Sequence, residues 1–350
     1  MQKRFTQLLV AIFIVLCQQL QAQDPQFSQF YVSPLQLNPA MTGVFEGSYR
    51  VAVNYREQYN SILSSHPFRT IAASFDMRKR VVKNDYFSFG VALLSDQAGS
   101  SLFNQYRGNL SVSFMKQLGG SKYSSEAQYL VVGAQFGAGQ NRLDPGKLWF
   151  SAQYDEFNVN VNQSLDNQEA NLTNSSNIFL DFNAGLMWYA RMSENKSIYF
   201  GGALNHLNPA DVSLFDNQKE TLHTRWVVHG GAELPFSREL SILPAILLTS
   251  QGSSFQTNFG ANFRYSNHDW REVAIRAGLW TRISKKVGGS HVDAIIFSTI
   301  LEMERINLGF SYDVNSSSLK DASQSRGAFE VSLIYIHPTK ERYKVNCPKF

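Results

Sequence analysis

The sequence predicts an all-β protein, namely a transmembrane antiparallel β-barrel of about 14 strands with short periplasmic turns and long extracellular loops. Three observations carry this prediction: the composition, a repeated alternation of apolar and polar residues, and an alternation of short and long links. Only 17% of the 350 residues are charged and 13% are aromatic, whereas a soluble domain has about 25% charged residues. This composition suits a protein whose outer surface contacts membrane lipid.

The first 22 residues have the pattern of a signal peptide. Lys3 and Arg4 give a positive start, an apolar stretch follows, and Ala22 precedes a plausible cleavage point. The apolar stretch is shorter than the roughly 20 residues that a spanning helix needs, and we find no later window of that kind. An exported chain of this type is either a soluble β-protein or a barrel.

Alternation with a period of two supports strands along most of the chain. It is clearest in the windows 49–56, 272–279, 305–312 and 329–335. The polar face carries charges at mid-strand, which are Arg56, Asp181, Arg264, Arg276, Arg282 and Glu330. Soluble sandwiches bury both inner faces, whereas a barrel places such charges in a polar lumen and its apolar face in lipid. The pattern therefore favours the barrel.

The predicted strands lie near 49–57, 68–78, 85–95, 103–118, 126–140, 178–191, 196–206, 222–235, 239–250, 254–266, 270–283, 290–301, 304–314 and 326–337. Their number is even, as in single-chain bacterial barrels. The even-numbered links are short, and the longest links, 141–177, 207–221 and 315–325, are odd-numbered. This parity predicts that both termini lie on the short-turn, periplasmic side.

The domain organisation follows from these strands. We predict a signal peptide at 1–22, a periplasmic N-terminal segment or plug at 23–48, the outer-membrane β-barrel at 49–337 and a periplasmic C-terminal tail at 338–350. The N-terminal segment is rich in aromatic residues and proline, and it either docks a partner or closes the lumen. The candidate docking or plug residues are Phe27, Phe30, Tyr31, Leu37, Asn38, Pro39, Cys347, Pro348, Lys349 and Phe350.

Aromatic residues near strand ends are candidates for the girdles at the membrane interfaces. The candidate set is Trp149, Trp188, Tyr189, Trp226, Trp270, Trp280 and Tyr343. The alternative is that some of them fill the lumen or the loops. Glycines recur in the strands, where they either kink the strand or allow a plug to approach closely.

The sequence offers no pattern that carries chemistry. It has no Gly-x-Ser-x-Gly elbow and no phosphate loop. His223 and His229 share a strand face, but metal ligation needs a third ligand that the sequence does not identify. Lysine and arginine are scattered, whereas a nucleic-acid binder shows a clustered basic face. We therefore expect no enzymatic activity, no cofactor, no metal and no nucleic-acid partner.

Several short motifs occur in a fixed order along the mature chain. They are Asp24-Pro25-Gln26-Phe27-Ser28-Gln29-Phe30, Leu37-Asn38-Pro39-Ala40, Thr42-Gly43, Asn54-Tyr55-Arg56, Asp96-Gln97-Ala98-Gly99, His206-Leu207-Asn208-Pro209, His229-Gly230-Gly231-Ala232-Glu233, Ser311-Tyr312-Asp313 and Cys347-Pro348-Lys349-Phe350. In these motifs the sequence resembles the PorP/SprF family of type IX secretion and gliding-motility proteins. Lys349 stands where the family has arginine, which keeps the charge but loses the fork geometry.

The resemblance implies a non-enzymatic outer-membrane barrel of a Bacteroidetes-type bacterium. Its implied partners are periplasmic and outer-membrane components of type IX secretion and, as a further candidate, the C-terminal domain of a secreted adhesin. The implied role is to scaffold these partners, or to secrete and anchor the adhesin. The alternative function is an outer-membrane transporter or porin for small solutes.

Overall fold

The computed structural model describes residues 24–63, 66–82, 84–120, 126–155, 160–162, 164–169, 171–193, 195–267, 273–286, 289–317, 320–339 and 347–348. Within these residues, fourteen antiparallel strands close into a barrel, which confirms the predicted fold class. The barrel strands are β1 (Tyr49–Gln58), β2 (Phe68–Val82), β3 (Asp85–Ala98), β4 (Phe103–Gly120), β5 (Ala127–Arg142), β8 (Phe179–Ser193), β9 (Lys196–Asn205), β10 (Arg225–Pro235), β11 (Leu240–Gln251), β12 (Ser254–Tyr265), β13 (Ala274–Lys286), β14 (Gly289–Glu302), β15 (Ile306–Asn315) and β16 (Arg326–His337). A separate two-stranded sheet pairs β6 (Tyr154–Asp155) with β7 (Asn160–Val161).

Each barrel strand pairs with its neighbours in sequence, and β1 pairs with β16 to close the ring. The strands are 10 to 18 residues long, and a transmembrane β-strand needs about 9–11. Alternation sets which side chains face out: in β1, Val51 and Val53 are exposed on the outer wall, whereas Arg50 and Arg56 are buried inside. The period-two pattern in the sequence therefore identified the two faces correctly.

The two ends of the barrel differ in their connections. The short-turn end holds the start of β1, the end of β16 and the links that follow β2, β4, β8, β10, β12 and β14. The long-loop end holds the three longest links, 143–178, 206–224 and 316–325. The third of these links contains a short helix, Lys320–Ser323.

The residues before β1 lie inside the barrel and form what we call the plug segment, 24–45. It contains a 3-10 helix (Phe30–Val32), a short α-helix (Pro34–Leu37) and a second 3-10 helix (Pro39–Met41). Their apolar side chains share one buried cluster with inward side chains of the wall, such as Met115 and Val227. Among the described residues, none of the helices is long and apolar enough to cross a membrane.

The predicted aromatic girdle is wrong for two residues. Tyr189 and Trp280 are buried and belong to the cluster inside the lumen. Strand phase is the reason, because Tyr189 follows an outward Trp188 and Trp280 follows the outward Leu279. Trp149 and Trp226 are exposed. Trp270 and Tyr343 lie outside the described residues.

Candidate functional site

The centre of the plug segment is a turn that its own sequence stabilises. Pro39 occupies the first position of the 3-10 helix, where its fixed φ suits the turn. The Asn38 side chain accepts a hydrogen bond from the Ala40 N–H at 2.8 Å, and the Thr42 hydroxyl donates to the Pro39 carbonyl oxygen at 2.8 Å. The turn therefore has stabilising hydrogen bonds of its own, in addition to its contacts with the wall.

The side chain of Asn38 joins this turn to three neighbouring strands. Its amide nitrogen lies 3.2 Å from the carbonyl oxygens of Leu186 on β8 and Gly202 on β9. The same nitrogen lies 3.0 Å from Nε2 of His229 on β10. Asn38 has no exposed surface. Its amide therefore supplies a buried polar partner to strands that lie far from it in sequence.

Two glycines of the wall make room for the turn. A Cβ atom at Gly133 would lie 2.3 Å from the carbonyl carbon of Pro39, and one at Gly185 would lie 1.9 Å from Oδ1 of Asn38. Gly133 and Gly185 face each other in the register of β5 and β8. Side chains at these positions would push the turn away, so these glycines serve close approach of the plug.

A second contact holds the plug nearer the long-loop end. The backbone N–H groups of Ser28 and Gln29 donate to the Glu330 carboxylate at 2.5 and 3.0 Å. The Ser28 hydroxyl donates to the carboxylate of Asp313 at 2.8 Å. The plug thus offers only neutral groups to these two buried carboxylates.

The wall itself supplies the cations for those carboxylates. Arg56 and Arg282 each lie 2.9 Å from Oδ2 of Asp313, and Arg56 also pairs with Glu330. Arg282 contacts Asp293 at 2.8 Å as well. These ion pairs join wall residues to one another, so the charges of this region are matched largely within the barrel.

A third contact, which we call the Asp24 site, ends the plug at the long-loop end. Oδ1 of Asp24 lies 2.6 Å from Nη1 of Arg107 on β4, and Oδ2 lies 2.6 Å from Nε2 of His206, which follows β9. Arg225 on β10 lies 3.5 Å from Oδ2 of Asp24. Asp181 holds the other side of the imidazole, with 2.8 Å between its Oδ1 and Nδ1 of His206.

The charges of the Asp24 site shift the pKa values of its members. Burial disfavours the charged carboxyl of Asp24, but Arg107 and His206 outweigh it and hold the pKa of Asp24 well below its usual range. Burial also disfavours a charged imidazole, yet the carboxylates of Asp24 and Asp181 raise the pKa of His206. The site therefore favours a carboxylate facing an imidazolium.

The candidate aromatic residues of the plug are all buried within this chain. Phe30 and Tyr31 pack against Trp280, with ring centroids 5.5 and 5.6 Å apart. Phe27 lies in a separate small cluster with Ala72 and Leu94. The other candidate residues of the plug, Leu37, Asn38 and Pro39, are buried as well.

The tail reaches the plug at the short-turn end. The Cys347 thiol lies 3.4 Å from the carbonyl oxygen of Phe45 and 3.2 Å from Nη1 of Arg78. Burial raises the pKa of this thiol, so it stays protonated and unreactive. Pro348 is buried beside it, whereas Lys349 and Phe350 lie outside the described residues.

Sequence reasoning missed Asp24, Ser28 and Gln29 as contact residues. All three belong to the first quoted motif, of which only the aromatic residues, Phe27 and Phe30, were predicted as candidates. A carboxylate next to a run of buried aromatic residues is a signal of a buried ion pair, because a charge is rarely buried alone. Their wall partners, by contrast, are distant in sequence.

Comparison with known protein families gives one match. The model of the type IX secretion system membrane protein PorP/SprF matches residues 19–335. The chain belongs to the PorP/SprF family. The matched range includes the whole plug segment and the barrel as far as β16, so the contacts described above all lie within the PorP/SprF region except those of the tail.

Solved barrels resemble this PorP/SprF chain at low identity. The toluene transporter TodX of Pseudomonas putida is 10% identical over 87% of this chain and 92% of that chain, with a TM-score of 0.46. The CymD monoaromatic hydrocarbon channel is 11% identical over 89% and 94%, with a TM-score of 0.42. A mutant porin of Rh. blastica is 9% identical over 82% and 99%, with a TM-score of 0.32. No curated protein matches the sequence.

Proposed function

We propose that this PorP/SprF chain is a non-enzymatic outer-membrane component of the type IX secretion or gliding machinery. In this role a plugged barrel, exported by its signal peptide, serves as a scaffold for periplasmic partners and anchors a secreted adhesin. The observation that carries the proposal is the filled lumen, in which the plug segment contacts β4, β5, β8, β9, β10, β15 and β16. A barrel closed by its own chain suits a fixed support.

The same observation weighs against the alternative of a porin. A porin needs a continuous polar path, whereas here Asn38, Thr42 and Ala40 have no exposed surface at the middle of the lumen. The lumen arginines, which would suit an anionic solute in an open barrel, instead pair with carboxylates of the wall and plug. Solute passage would require the plug to leave.

The surface at the long-loop end supports contact with the adhesin. The links 143–178 and 206–224 pack together, since the Thr173 N–H donates to the Leu214 carbonyl oxygen at 2.8 Å and the Asp216 N–H donates to that of Asn171 at 3.1 Å. Trp149 is 65% exposed on this surface. Exposed aromatic side chains on an ordered surface suit a protein partner. We assign this surface to the C-terminal domain of the adhesin.

The short-turn end is the side that we assign to periplasmic partners. The candidate anchors Phe27, Phe30 and Tyr31 are occupied by the barrel itself, so this contact falls to the tail, 338–350, and to the neighbouring turns. Glu46 pairs with Arg191 there and still keeps 39% of its side chain exposed. The aromatic side chains of the plug then help to close the lumen and do not contact a partner.

Site-specific photo-crosslinking in living cells tests this function. A photoreactive residue replaces Trp149 on the long-loop surface, and the matched control replaces Leu279, which faces lipid from mid-strand. We expect position 149 to crosslink to a secreted protein with a type IX C-terminal domain and position 279 to give no protein crosslink. Equal crosslinking at both positions, or solute-dependent conductance of the purified barrel in a planar bilayer, would contradict the proposal.

A further inference from the structure

The Asp24 site differs from the other charged regions of the lumen in where its charges come from. The wall contributes three cations, Arg107, His206 and Arg225, each from a different part of the barrel. The wall also contributes the carboxylate of Asp181, which contacts Nδ1 of His206. Asp24 of the plug is the carboxylate that Arg107 and Arg225 contact, so the plug supplies the negative charge that pairs with both arginines.

Without Asp24, Arg107 and Arg225 would lose the carboxylate that each of them contacts in the closed barrel. Arg107 and Arg225 are both largely buried, and an unpaired buried cation is strongly unfavourable. Any group that replaces Asp24 must therefore bring a negative charge. Because Nη1 of Arg107, Nε2 of His206 and Nη1 of Arg225 converge on one position, a carboxylate fits this place.

Several buried polar atoms around the Asp24 site lack hydrogen-bond partners among the described residues. A cavity of about 50 Å³ lies between this end of the plug and the wall, lined by residues that include Asp24, Gln26, Asn109 and Arg225. Buried polar atoms at its edge, which are Oε1 of Gln26, Oδ1 of Asn109 and Nε of Arg107 and Arg225, have no hydrogen-bond partner among the described residues. Buried polar atoms usually find partners, so the closed arrangement leaves room for other contacts.

The contacts that hold this end of the plug are separate from those that hold the turn. Phe27 packs in its own small cluster with Ala72 and Leu94, apart from the main cluster that holds Phe30 and the turn. The N–H groups of Ser28 and Gln29 are bound separately by Glu330. Movement of 24–27 would therefore vacate one carboxylate position and one aromatic position three residues away, both at the long-loop end.

We propose that Arg107, His206 and Arg225 form a receptor for the carboxylate of an acidic polypeptide segment, which Asp24 of the same chain occupies in the closed barrel. The incoming segment carries an aspartate and, three residues later, an aromatic side chain that replaces Phe27 between Ala72 and Leu94. A small free anion would fill only the cationic position. The receptor is a property of the barrel, and it goes beyond the scaffold role because it admits a partner's chain into the lumen.

Peptide binding to the full chain, purified from outer membranes in detergent micelles, tests the receptor. The probe is a fluorescent peptide with the sequence of residues 24–30, blocked at both ends, and its counterpart has asparagine in place of aspartate. We expect the variant Asp24→Asn to bind the aspartate peptide at least tenfold more tightly than the wild type does. The same variant should bind the asparagine peptide at least tenfold more weakly than it binds the aspartate peptide. Adding Arg107→Gln to that variant should abolish binding. The matched control is Asp166→Asn, an exposed aspartate of a long loop, which should bind as the wild type does.

A measurement on the wild type keeps the test independent of whether these variants fold. Hydrogen exchange of peptic fragments covering 24–30 should accelerate severalfold when the aspartate peptide is in excess, whereas fragments covering 38–44 should be unchanged. Acetate at the same concentration and the asparagine peptide should have no effect. Equal affinity for the two peptides, equal binding by Asp24→Asn and the wild type, retained binding with Arg107→Gln, or an equal effect of acetate would each overturn the proposal.

Discussion

The turn at Asn38 and the end of the plug at Asp24 are both buried, yet they are held in different ways. The turn uses neutral hydrogen bonds and a close steric fit, with its backbone against wall glycines. Asp24 uses charges, and its partners are two arginines and a histidine. Steric fit is insensitive to pH and salt, whereas ion pairs with a histidine are sensitive to pH. One plug therefore has a fixed centre and an end that its environment can loosen.

The largest effect that we expect comes from filling the space at the turn. Gly133→Ala would place a methyl group against the backbone of Pro39 and Ala40, which cannot rotate away. The free energy of unfolding should fall by about 3 kcal/mol, at the upper end of overpacking costs. Urea unfolding of the purified barrel measures this. The control is Gly108→Ala, where the nearest atom would be 3.4 Å away; similar losses in both variants would argue against a steric turn site.

A smaller loss should follow removal of the Asn38 amide. Asn38→Ala leaves the buried His229 and the Leu186 carbonyl oxygen without this partner, which costs about 2 kcal/mol. We also expect faster proteolysis within the plug segment. Asn177→Ala, at an exposed position before β8, should change neither quantity. If Asn38→Ala behaved in the same way as Asn177→Ala, the turn would be held by shape alone.

The end of the plug should respond to pH, with the direction set by the two shifted groups. The pKa of His206 is raised, so its stabilising contribution is complete below about pH 6.5 and is lost as the pH rises through the native pKa. The pKa of Asp24 is lowered, so its contribution is present above about pH 3.9 and is lost only as the pH falls through the native pKa. The other charged groups that contact this pair are Arg107, Arg225 and Asp181.

Hydrogen exchange of the region 24–30 measures this pH response. After correction for the intrinsic rate, exchange should be slowest between about pH 4 and pH 6.5 and should accelerate at higher pH. Exchange at 38–44 should not change over the same range. The variant His206→Gln should lose the alkaline acceleration. A pH response shared by both regions, or one that survives in His206→Gln, would remove the distinction between the two parts of the plug.

The smallest effect should come from the tail. Cys347→Ser keeps the size and the contact with Phe45, so we expect a change below about 1 kcal/mol in the free energy of unfolding. In the folded wild type at pH 7, Cys347 should react with maleimide far more slowly than a cysteine introduced at the exposed Ser237. Comparable labelling rates would mean that the tail does not stay in its buried position.

The sequence was sufficient for the strands because their determinants are local. Every predicted strand corresponds to an observed one, with ends that differ by a few residues; the strand predicted at 270–283, for example, is Ala274–Lys286. Local phase would also have placed Tyr189 and Trp280 inside, had it been applied to them in place of their residue type. The position of a residue in the alternation decides whether its side chain faces lipid or the lumen. Aromatic side chains occur on both faces of this barrel, so residue type alone does not predict the face.

The path of the plug could not be read in the same way. Strand parity located only the entry to β1 at the short-turn end, whereas Asp24 lies at the opposite end of the lumen beside His206 and Arg107. The wall partners of Asn38 and Asp24 are more than eighty residues away in sequence; Asn38 and His229, for example, are 191 residues apart. A single sequence holds no pattern that pairs such distant residues. Strand glycines, Gly133 and Gly185 among them, were compatible with the close approach of a plug, but ordinary strand kinks were the default explanation.

The ring closes between the first and the last strand, in a register that runs from Tyr49 opposite His337 to Gln58 opposite Ala328. The plug segment directly precedes that first strand. The final seam of the barrel can therefore be sealed only around a lumen that already contains the start of the chain, unless that start is later threaded through one mouth. When the plug enters first, its side chains form the surface on which the wall strands pack, and the last hairpin, β15 with β16, completes the ring around them.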